Sequence, residues 1–295
     1  MERFDILIVG GGAAGMAAAL SAAERGRRVA LVDRENTLGG VLNQCLHSGF
    51  GLHIFGEDLT GTAYARRYAE KVARSPVTVW TGAEVLSLRA DKTALISGRD
   101  GLYRVGFDRC VLAAGCRETP IGALDVAGTR PAGIFTAGTA QRLVNVGHYS
   151  VGSEVVILGS GDVGQIMARQ LVQSGRRVVA MVELSSKLGG LARNRRECVE
   201  AYHIPVLLRA TVDEVLGAGR VSGVMVRELD TGRRRALKCD TLITAVGLTP
   251  DRALCRGLTP SGALPDWLRL SGNCDYVHEI VDSVTAEATA LGKKL

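Results

Sequence analysis

Two sets of glycines in this sequence have the spacing that lets a backbone wrap closely around a phosphate group. Gly10, Gly12 and Gly15 follow an apolar stretch at 6–9 and lead into an alanine-rich stretch. This spacing fits a tight turn at Gly10, close approach of a ligand at Gly12 and close packing of helix on strand at Gly15. A helix that starts here would direct unpaired N–H groups at the phosphate. The predicted chemistry is binding of a dinucleotide pyrophosphate.

An acidic residue completes this first motif. Asp33 follows Gly10 by 23 residues and ends a second apolar stretch, so its carboxylate is placed to accept a hydrogen bond from a ribose hydroxyl. The alternative is a carboxylate that simply ends a strand at the surface. Because strand, turn, helix, strand and acid occur in register, we predict a βαβ unit over 4–33.

The same motif occurs again 149 residues later, and its acid follows the first glycine by 24 residues. Its residues are Gly159, Gly161, Asp162, Val163, Gly164 and Glu183. Two complete motifs predict two bound dinucleotides. Enzymes that hold two commonly pair a flavin with a nicotinamide, because hydride passes readily between them.

Glu183 also bears on which nicotinamide is bound. A carboxylate at this position would repel the 2′-phosphate of NADPH, which favours NADH. Lys187 and Arg193 lie nearby in the sequence and could bind that phosphate instead. A surface strand end is the remaining alternative for Glu183.

Composition limits the class of protein. A chain of 295 residues with 46% hydrophobic residues and 37 glycines fits two α/β domains with many tight turns. No apolar run approaches the ~18 residues of a membrane span, and the first predicted strand begins close to Met1, so we expect neither a membrane span nor a secretory signal. The net charge of +6 is scattered, which indicates a solvated surface rather than nucleic-acid binding, although it could help dock an acidic redox partner.

The stretch between the two motifs contains further elements. The 34–59 loop has little periodicity, and its Gly39-Gly40 pair can bring backbone close to a flat ring. We predict a helix at 60–74 that ends at Ser75-Pro76, and a hairpin turn at Asp100-Gly101. The strands predicted around it are 77–80, 84–88, 94–97, 103–107 and 109–114.

Three further stretches of the sequence are VLAAGCRETP, TLITAVGLTPD and LRLSGNCDYVHEIVDSV. The first two resemble the strand-to-glycine crossings, and the third resembles the final flavin motif, of the pyridine nucleotide–disulfide oxidoreductases, which are flavoproteins with two dinucleotide sites. The resemblance covers essentially the whole chain. It implies an α/β fold with two Rossmann-like domains of the three-layer ββα type. The FAD-binding domain would comprise 1–121 and 248–295, with the NAD(P)-binding domain inserted at 122–247.

The resemblance also implies which residues contact each cofactor. For FAD they are Gly10, Gly12, Ala13, Ala14, Gly15, Asp33, Arg34, Gly40, Val41, Val85, Ala114, Gly115, Asn273 and Val281. For NAD they are Gly159, Gly161, Asp162, Val163, Gly164, Glu183 and Gly247. Asn273 would precede a helix aimed at the flavin ring. His278, expected in the first turn of that helix, is a weak catalytic candidate or else an ordinary capping or solvent-facing histidine.

Three longer stretches give a closer resemblance: LGGVLNQCLHSGFGLHIFGEDLTGTAYA, RPAGIFTAGTAQRLVN and VILGSGDVGQIMAR. They resemble a bacterial subgroup found beside glycerol-3-phosphate dehydrogenases, and more distantly flavin subunits of opine and amino-acid dehydrogenases. This implies that the electron acceptor is a partner dehydrogenase or an iron–sulfur protein. It also implies a homo-oligomer or a hetero-complex.

The cysteines depart from the family pattern. The seven cysteines contain no CxxC, which predicts reduced thiols in the cytosol and no dithiol relay. Cys45 alone occupies the region that follows the first motif, where it could form a sulfenic acid or stack on the flavin as a thiolate. The alternative is a thiol buried as a small hydrophobe. No metal-ligand spacing occurs, so no metal site is predicted.

The predicted function is that of an FAD-dependent, NAD(P)H-linked oxidoreductase with NADH favoured, which passes electrons to a non-disulfide acceptor. No general base is assigned. One alternative is an electron-transfer flavin subunit of a multi-component dehydrogenase. Because the 250–272 stretch is short for the family, another is a trimmed nucleotide-binding module without catalysis.

Overall fold

The computed structural model describes residues 1–295 and divides them into two compact units. The first comprises Met1–Arg117 and Thr249–Leu295, and the second comprises Glu118–Leu248. The chain thus leaves the first unit once and returns to it. Which cofactor belongs to each unit stays a prediction.

The secondary structure consists of helices and strands that alternate in much of the chain. The α-helices are α1 Ala13–Ala23, α2 Gly61–Ala73, α3 Ala137–Asn145, α4 Asp162–Gln173, α5 Ala192–Asn194 and α6 Val281–Gly292. The strands are β1 Glu2–Val9, β2 Val29–Asp33, β3 Ser48–Phe50, β4 Leu59–Thr60, β5 Thr78–Thr81, β6 Glu84–Leu88, β7 Thr93–Gly98, β8 Gly101–Leu112, β9 Cys116–Glu118, β10 Ala127–Gly128, β11 Ile134–Thr136, β12 Glu154–Leu158, β13 Arg177–Val182, β14 Val206–Leu207, β15 Ala210–Leu216, β16 Gly223–Glu228, β17 Arg234–Lys238, β18 Thr241–Thr244, β19 Leu248–Pro250 and β20 Leu268–Leu270. Short 3₁₀ turns occur at Gly40–Gln44, Ile121–Ala123, Ala253–Cys255 and Gly272–Cys274, and a π-helical turn occurs at Arg195–Glu200.

The first unit is built on a parallel sheet of order β5-β2-β1-β8, with β20 paired to the end of β8. Successive side chains of β1 point to opposite faces of this sheet. Ile6 and Ile8 pack against α1, α2 and α6, whereas Leu7 and Val9 pack against the antiparallel strands β6 and β7. Both faces are therefore covered, which explains the continuous apolar run in β1.

The alanine-rich composition of α1 lets helix α6 pack closely against it. A Cβ on Gly292 of α6 would lie 2.5 Å from the Ala18 carbonyl oxygen of α1. A larger residue at either position would force the two helices apart. The packing of α6 on α1 therefore places the last helix of the chain beside the helix of the first glycine motif.

The second unit repeats the three-layer arrangement. Its parallel sheet has the order β11-β18-β12-β13-β14. Val155 and Ile157 of β12 pack with α3 and α4, while Val156 and Leu158 pack with the antiparallel strands β15 and β16. The α/β class with Rossmann-like domains of the ββα type is confirmed.

One strand prediction is wrong. The stretches 103–107 and 109–114 belong to a single strand, β8, which ends at Leu112. The exposed polar pair Asp108 and Arg109 interrupts the apolar pattern but not the pairing of β8 with β1. The hairpin at Asp100-Gly101 and the helix ending before Ser75 are confirmed.

Among the helices, none has both the length and the apolar character needed to cross a membrane.

Candidate functional site

The turn after β1 has room for a ligand at one position. Gly10 has a φ of +106°, and a Cβ there would lie 2.4 Å from the Ala113 carbonyl oxygen. A Cβ on Gly15 would lie 1.7 Å from the Gly10 carbonyl oxygen. No atom lies within 4 Å of a Cβ built on Gly12. Gly10 and Gly15 are therefore required by the protein's own packing, whereas Gly12 faces open space.

The start of α1 fits a phosphate group. Gly12 is the N-cap and has extended backbone, and no side chain accepts a hydrogen bond from the first N–H groups. The first turn, which includes Ala13 and Ala14, contains no acidic residue. The helix end therefore carries its partial positive charge without a protein anion beside it on the helix.

Asp33, the last residue of β2, stabilises this turn through hydrogen bonds of its carboxylate. The carboxylate is buried and accepts hydrogen bonds from the Gly11 N–H at 2.5 Å and the Glu35 N–H at 2.7 Å. The burial does not match the surface strand-end alternative. Contact with a ribose stays a prediction, and the bracing of the turn is a function that sequence reasoning missed.

The loop after Asp33 lies directly on the glycine turn. The Gly39 N–H donates to the Gly11 carbonyl at 2.8 Å, and a Cβ on Gly40 would lie 3.2 Å from the Gly12 Cα. The neighbouring Val41 side chain is 65% exposed. The loop therefore lies beside Gly12, and its approach to a bound cofactor stays a prediction.

The final motif, residues 268–284, also packs against the start of α1. A Cβ on Gly272 would lie 2.8 Å from the Ala14 Cβ, and the Ser271 N–H donates to the Leu112 carbonyl at 3.0 Å. Asn273 Nδ2 lies 3.8 Å from Cys116 Sγ. The structure therefore brings the first motif and the final motif together at the ends of β1 and β8.

Other residues implied for FAD are distributed around this turn. Gly115 has open space around its Cβ position, and Ala114 is exposed. Arg34 is exposed, Val281 is half-buried, and Val85 is buried in the core formed by β6 and β7. The Val85 side chain is therefore part of the core, and contact of this residue with FAD stays a prediction.

The predicted placement of His278 in the first turn of the last helix is wrong, because α6 begins only at Val281. A catalytic role for His278 stays a prediction. The His278 side chain is 3% exposed. Its Nδ1 lies 2.9 Å from the Tyr276 carbonyl oxygen and 3.2 Å from Asn273 Oδ1, and its Nε2 lies 3.1 Å from Glu287 Oε2. His278 is therefore neither in the first turn of the helix nor solvent-facing, and it instead holds the Asn273 amide.

Asp282 occupies the first turn of α6 and was missed by sequence reasoning. Its buried carboxylate accepts hydrogen bonds from the Gly51 N–H at 3.1 Å and the His53 N–H at 2.8 Å. An acid in the first turn of a helix is favoured by the helix dipole, and this signal could have singled it out. The carboxylate anchors the loop that contains Gly51 to the start of α6.

The seven cysteines are thiols. Cys45 is 8% exposed and its Sγ donates to the Val41 carbonyl at 3.4 Å. Burial raises the pKa of Cys45 to about 12, which disfavours a thiolate at neutral pH. This favours the buried-thiol interpretation. No group of three or more His, Cys, Asp or Glu side chains is placed to hold a metal ion.

The turn after β12 repeats the geometry of the first. A Cβ on Gly159 would lie 2.5 Å from the Ala245 carbonyl oxygen, and one on Gly164 would lie 2.7 Å from the Ala245 Cβ. A Cβ on Gly161 would make only an ordinary contact, at 3.5 Å. Gly161 is the N-cap of α4, again without a side-chain cap. Exposed Val163 and Gly247 lie on this unit as well.

Glu183 braces the second turn as Asp33 braces the first. Its Oε2 accepts hydrogen bonds from the Ser160 N–H at 3.0 Å and the Ser160 hydroxyl at 2.5 Å, and its Oε1 accepts from the Ser185 N–H at 2.8 Å. In both units the acid therefore bonds the amide after the first glycine and the amide two residues beyond itself. Ribose contact at Glu183 stays a prediction.

Asp162, in the first turn of α4, is hydrogen-bonded to the segment that follows β13. Its Oδ1 accepts hydrogen bonds from the Leu191 N–H and from Asn194 Nδ2, both at 2.7 Å. The negative charge at the start of α4 is thus engaged by donors of the protein. This allows a phosphate to share the helix N-terminus.

The same loop contains two glycines that sequence reasoning missed. Gln165 Nε2 donates to the Gly189 carbonyl at 2.9 Å, and the Gly189 N–H donates to the Ser160 hydroxyl at 2.8 Å. The available signal was a repeat, because Leu-Gly-Gly occurs at 38–40 and at 188–190, in each case starting five residues after the motif acid. Of the two nearby cations, Arg193 pairs with Glu197 at 3.1 Å and Lys187 is exposed.

Comparison with known proteins agrees with this geometry. Residues 4–263 match the family model described as pyridine nucleotide-disulphide oxidoreductase. A ferredoxin–NADP reductase of Salinispora tropica is 30% identical over 304 residues, covering 97% of this chain and 83% of that protein. The crystal structure of T. acidophilum thioredoxin reductase has a TM-score of 0.78 at 22% identity, covering 99% of this chain and 97% of that one.

A third relative is much longer than this chain. Hydrogen cyanide synthase subunit HcnB of Pseudomonas protegens is 31% identical over 198 residues, which cover 63% of this chain and 39% of that protein. The chain thus spans about two fifths of the length of this curated relative. The family match extends through both glycine motifs and both units, so the chain belongs to the pyridine nucleotide-disulphide oxidoreductase family.

Proposed function

We propose that the first unit binds FAD, that the second unit binds NADH, and that hydride passes between the nicotinamide and the flavin. The observation that carries this proposal is the pair of glycine turns, each of which leaves an uncapped helix N-terminus with space at its middle glycine, Gly12 or Gly161. The flavin supplies the redox chemistry when it is bound, and the protein supplies placement and electrostatics.

The residues of the first unit divide this task. The N–H groups at the start of α1 would hold the FAD pyrophosphate, and Asp33 would accept a ribose hydroxyl while it keeps the turn in shape. The Asn273 amide is oriented by His278, because its Oδ1 faces the His278 backbone N–H at 3.1 Å. Its Nδ2 faces Cys116 Sγ at 3.8 Å.

In the second unit the start of α4 would hold the pyrophosphate of NADH. Glu183 would accept the hydroxyls of the adenosine ribose and repel a 2′-phosphate. Arg193 is paired with Glu197, which supports NADH over NADPH because one of the two nearby cations is already engaged.

The proposed electron acceptor is not a disulfide. The sequence contains no CxxC, and the thiol nearest the first motif, Cys45, is buried with a raised pKa. We propose a partner dehydrogenase or iron–sulfur protein of the kind associated with glycerol-3-phosphate, opine or amino-acid oxidation. HcnB is named as a subunit, and so are two matches to sarcosine oxidase subunit alpha, which supports a hetero-complex. A reducing compartment such as the cytosol fits the seven thiols.

An electron-transfer subunit is the second candidate function, favoured by the same subunit relatives. In that case the isolated chain would reduce soluble acceptors negligibly, and an added partner would restore turnover. A nucleotide-binding module without catalysis would instead be colourless and take up no added FAD.

Two matched variants test the proposal. Gly12 and Gly161 both have backbone conformations open to any residue and room for a Cβ, so valine at either position should fold and obstruct only the ligand. We expect Gly12→Val to lose the yellow chromophore. Gly161→Val should keep its flavin but lose reduction by NADH under anaerobic conditions.

The measurements are the visible spectrum of each purified protein and the rate of flavin bleaching on mixing with NADH. Circular dichroism verifies that both variants are folded. Full FAD content in Gly12→Val, or wild-type reduction rates in Gly161→Val, would contradict the corresponding assignment.

A further inference from the structure

Ser160 connects three parts of the second glycine site. It follows Gly159 in the turn and is 1% exposed. Its hydroxyl donates to Glu183 Oε2 at 2.5 Å and accepts from the Gly189 N–H at 2.8 Å. One buried hydroxyl therefore joins the turn, the acid and the Leu-Gly-Gly loop.

The first unit joins the corresponding three parts through a glycine in the turn, without a serine hydroxyl. Gly11 takes the place of Ser160, its N–H donates to the shorter acid Asp33 at 2.5 Å, and its carbonyl accepts from the Gly39 N–H at 2.8 Å. Each unit thus has a matched pair, glycine with aspartate and serine with glutamate. The longer acid of the second unit is held by an additional hydrogen bond.

Immobilising Glu183 matters because of how a carboxylate rejects a 2′-phosphate. A mobile side chain can rotate away from a second negative charge, and the repulsion is then lost. A carboxylate held by Ser160 and by the Ser185 N–H cannot move without breaking charge-assisted hydrogen bonds.

The same contacts restrain the 185–189 segment, which contains the cation Lys187. Ser185 is bonded to Glu183, and Gly189 is bonded to Ser160, so both ends of the 185–189 segment are attached to this pair. Lys187 lies in the middle of the segment and is exposed. Release of the segment would let its ammonium group approach a 2′-phosphate.

We propose that Ser160 is a positioning residue for nicotinamide selectivity. Its hydroxyl holds the Glu183 carboxylate where an unphosphorylated ribose is accepted and a 2′-phosphate is rejected, and it restrains the segment that carries Lys187. This inference rests on the proposed binding of a nicotinamide dinucleotide to the second unit.

The test is calorimetric titration of the full-length protein with NAD⁺ and with NADP⁺. For Ser160→Ala and Ser160→Gly, we expect the ratio of the NADP⁺ Kd to the NAD⁺ Kd to fall about tenfold, the effect of losing one hydrogen bond to a charged group. Gly11 shows that glycine is compatible with this turn, so Ser160→Gly keeps the test valid if alanine is poorly tolerated. Ser160→Thr retains the hydroxyl and should therefore keep the wild-type ratio.

A double-mutant cycle separates positioning from general structural damage. Glu183→Gln should lower the same ratio, and Ser160→Ala should have a smaller effect in that background than in the wild type, because the part of its effect that acts through Glu183 is already lost. Ser174→Ala is the control, since it removes a hydroxyl bonded within the same unit at the far end of α4.

Each contrary result has a distinct meaning. Unchanged selectivity in Ser160→Ala, or fully additive effects in the double variant, would overturn the role of Ser160 and leave the proposed function standing. Failure of the wild type to bind either nucleotide would overturn the proposed function, and this inference with it.

Discussion

Asp33 and Glu183 both stabilise the protein's own turn in addition to their predicted contact with a ribose. Each carboxylate accepts backbone N–H bonds from the turn and from the residue two positions beyond itself. Removing either acid would therefore leave backbone donors without their acceptor, at a cost of about 1–3 kcal/mol each where they are buried. Loss of nucleotide binding in such a variant would combine turn distortion with loss of the ribose contact.

Cys45 should make the stability of the protein depend on pH in the alkaline range. Its pKa is about 12 in the folded protein, against about 8.5 for an unfolded chain. Between these values the folded state holds the proton that the unfolded state releases, so stability is complete below about pH 8.5 and falls as the pH rises. At pH 10 the expected loss from this residue is about 2 kcal/mol relative to pH 7.5.

Urea unfolding of the wild type and of Cys45→Ala at both pH values measures this loss. The variant should show a smaller decrease than the wild type, and the difference isolates Cys45 from the other thiols. Cys116→Ala, a half-buried cysteine of the same unit, is the control. Equal pH dependence in the wild type and Cys45→Ala would mean that Cys45 titrates normally and is available as a thiolate.

At the scale of elements, helix α6 packs against α1 and also anchors the loop that contains Gly51 and His53. Asp282 in its first turn binds the Gly51 and His53 amides, which lie 231 and 229 residues away in the sequence. A buried acceptor at a helix N-terminus is stabilised by the helix dipole and by both donors. The loop after the first motif is thereby attached to the last helix of the chain.

Replacing Asp282 should release this loop. Asp282→Ala removes both acceptors, and we expect the free energy of unfolding to fall by about 1–3 kcal/mol. Hydrogen exchange at the Gly51 and His53 amides should accelerate, while exchange within β1 stays slow. Ser283→Ala, in the same helical turn, is the control, and slow exchange at both loop amides in Asp282→Ala would exclude the anchoring role.

At the scale of the whole molecule, the chain contains one unit for each predicted dinucleotide and no CxxC pair. A flavin without a redox-active disulfide accepts two electrons, whereas the combination accepts four. We therefore expect anaerobic titration with NADH to bleach the flavin at two electrons per FAD, and Cys45→Ser to give the same count. Four electrons in the wild type and two in the variant would establish a redox-active cysteine and restore a disulfide reductase function.

The sequence by itself determined the architecture of both units, because glycine spacing and apolar strands act locally. Gly10 and Gly159 allow turns that other residues would obstruct, and apolar residues on both faces of β1 and β12 require a covering layer on each side. These constraints act on neighbouring residues, so the two motifs, the strand-turn-helix order and the family were predictable.

Only the tertiary structure decided the bonding and charge state of individual side chains. The sequence placed His278 in a helix and passed over Asp282, Ser160 and the second Leu-Gly-Gly loop. It also left the state of Cys45 open. Each of these depends on burial and on partners from other elements, as when a carboxylate at 282 meets amides at 51 and 53. Desolvation and hydrogen bonding act through space, so they are determined once the chain has folded and cannot be read from local spacing.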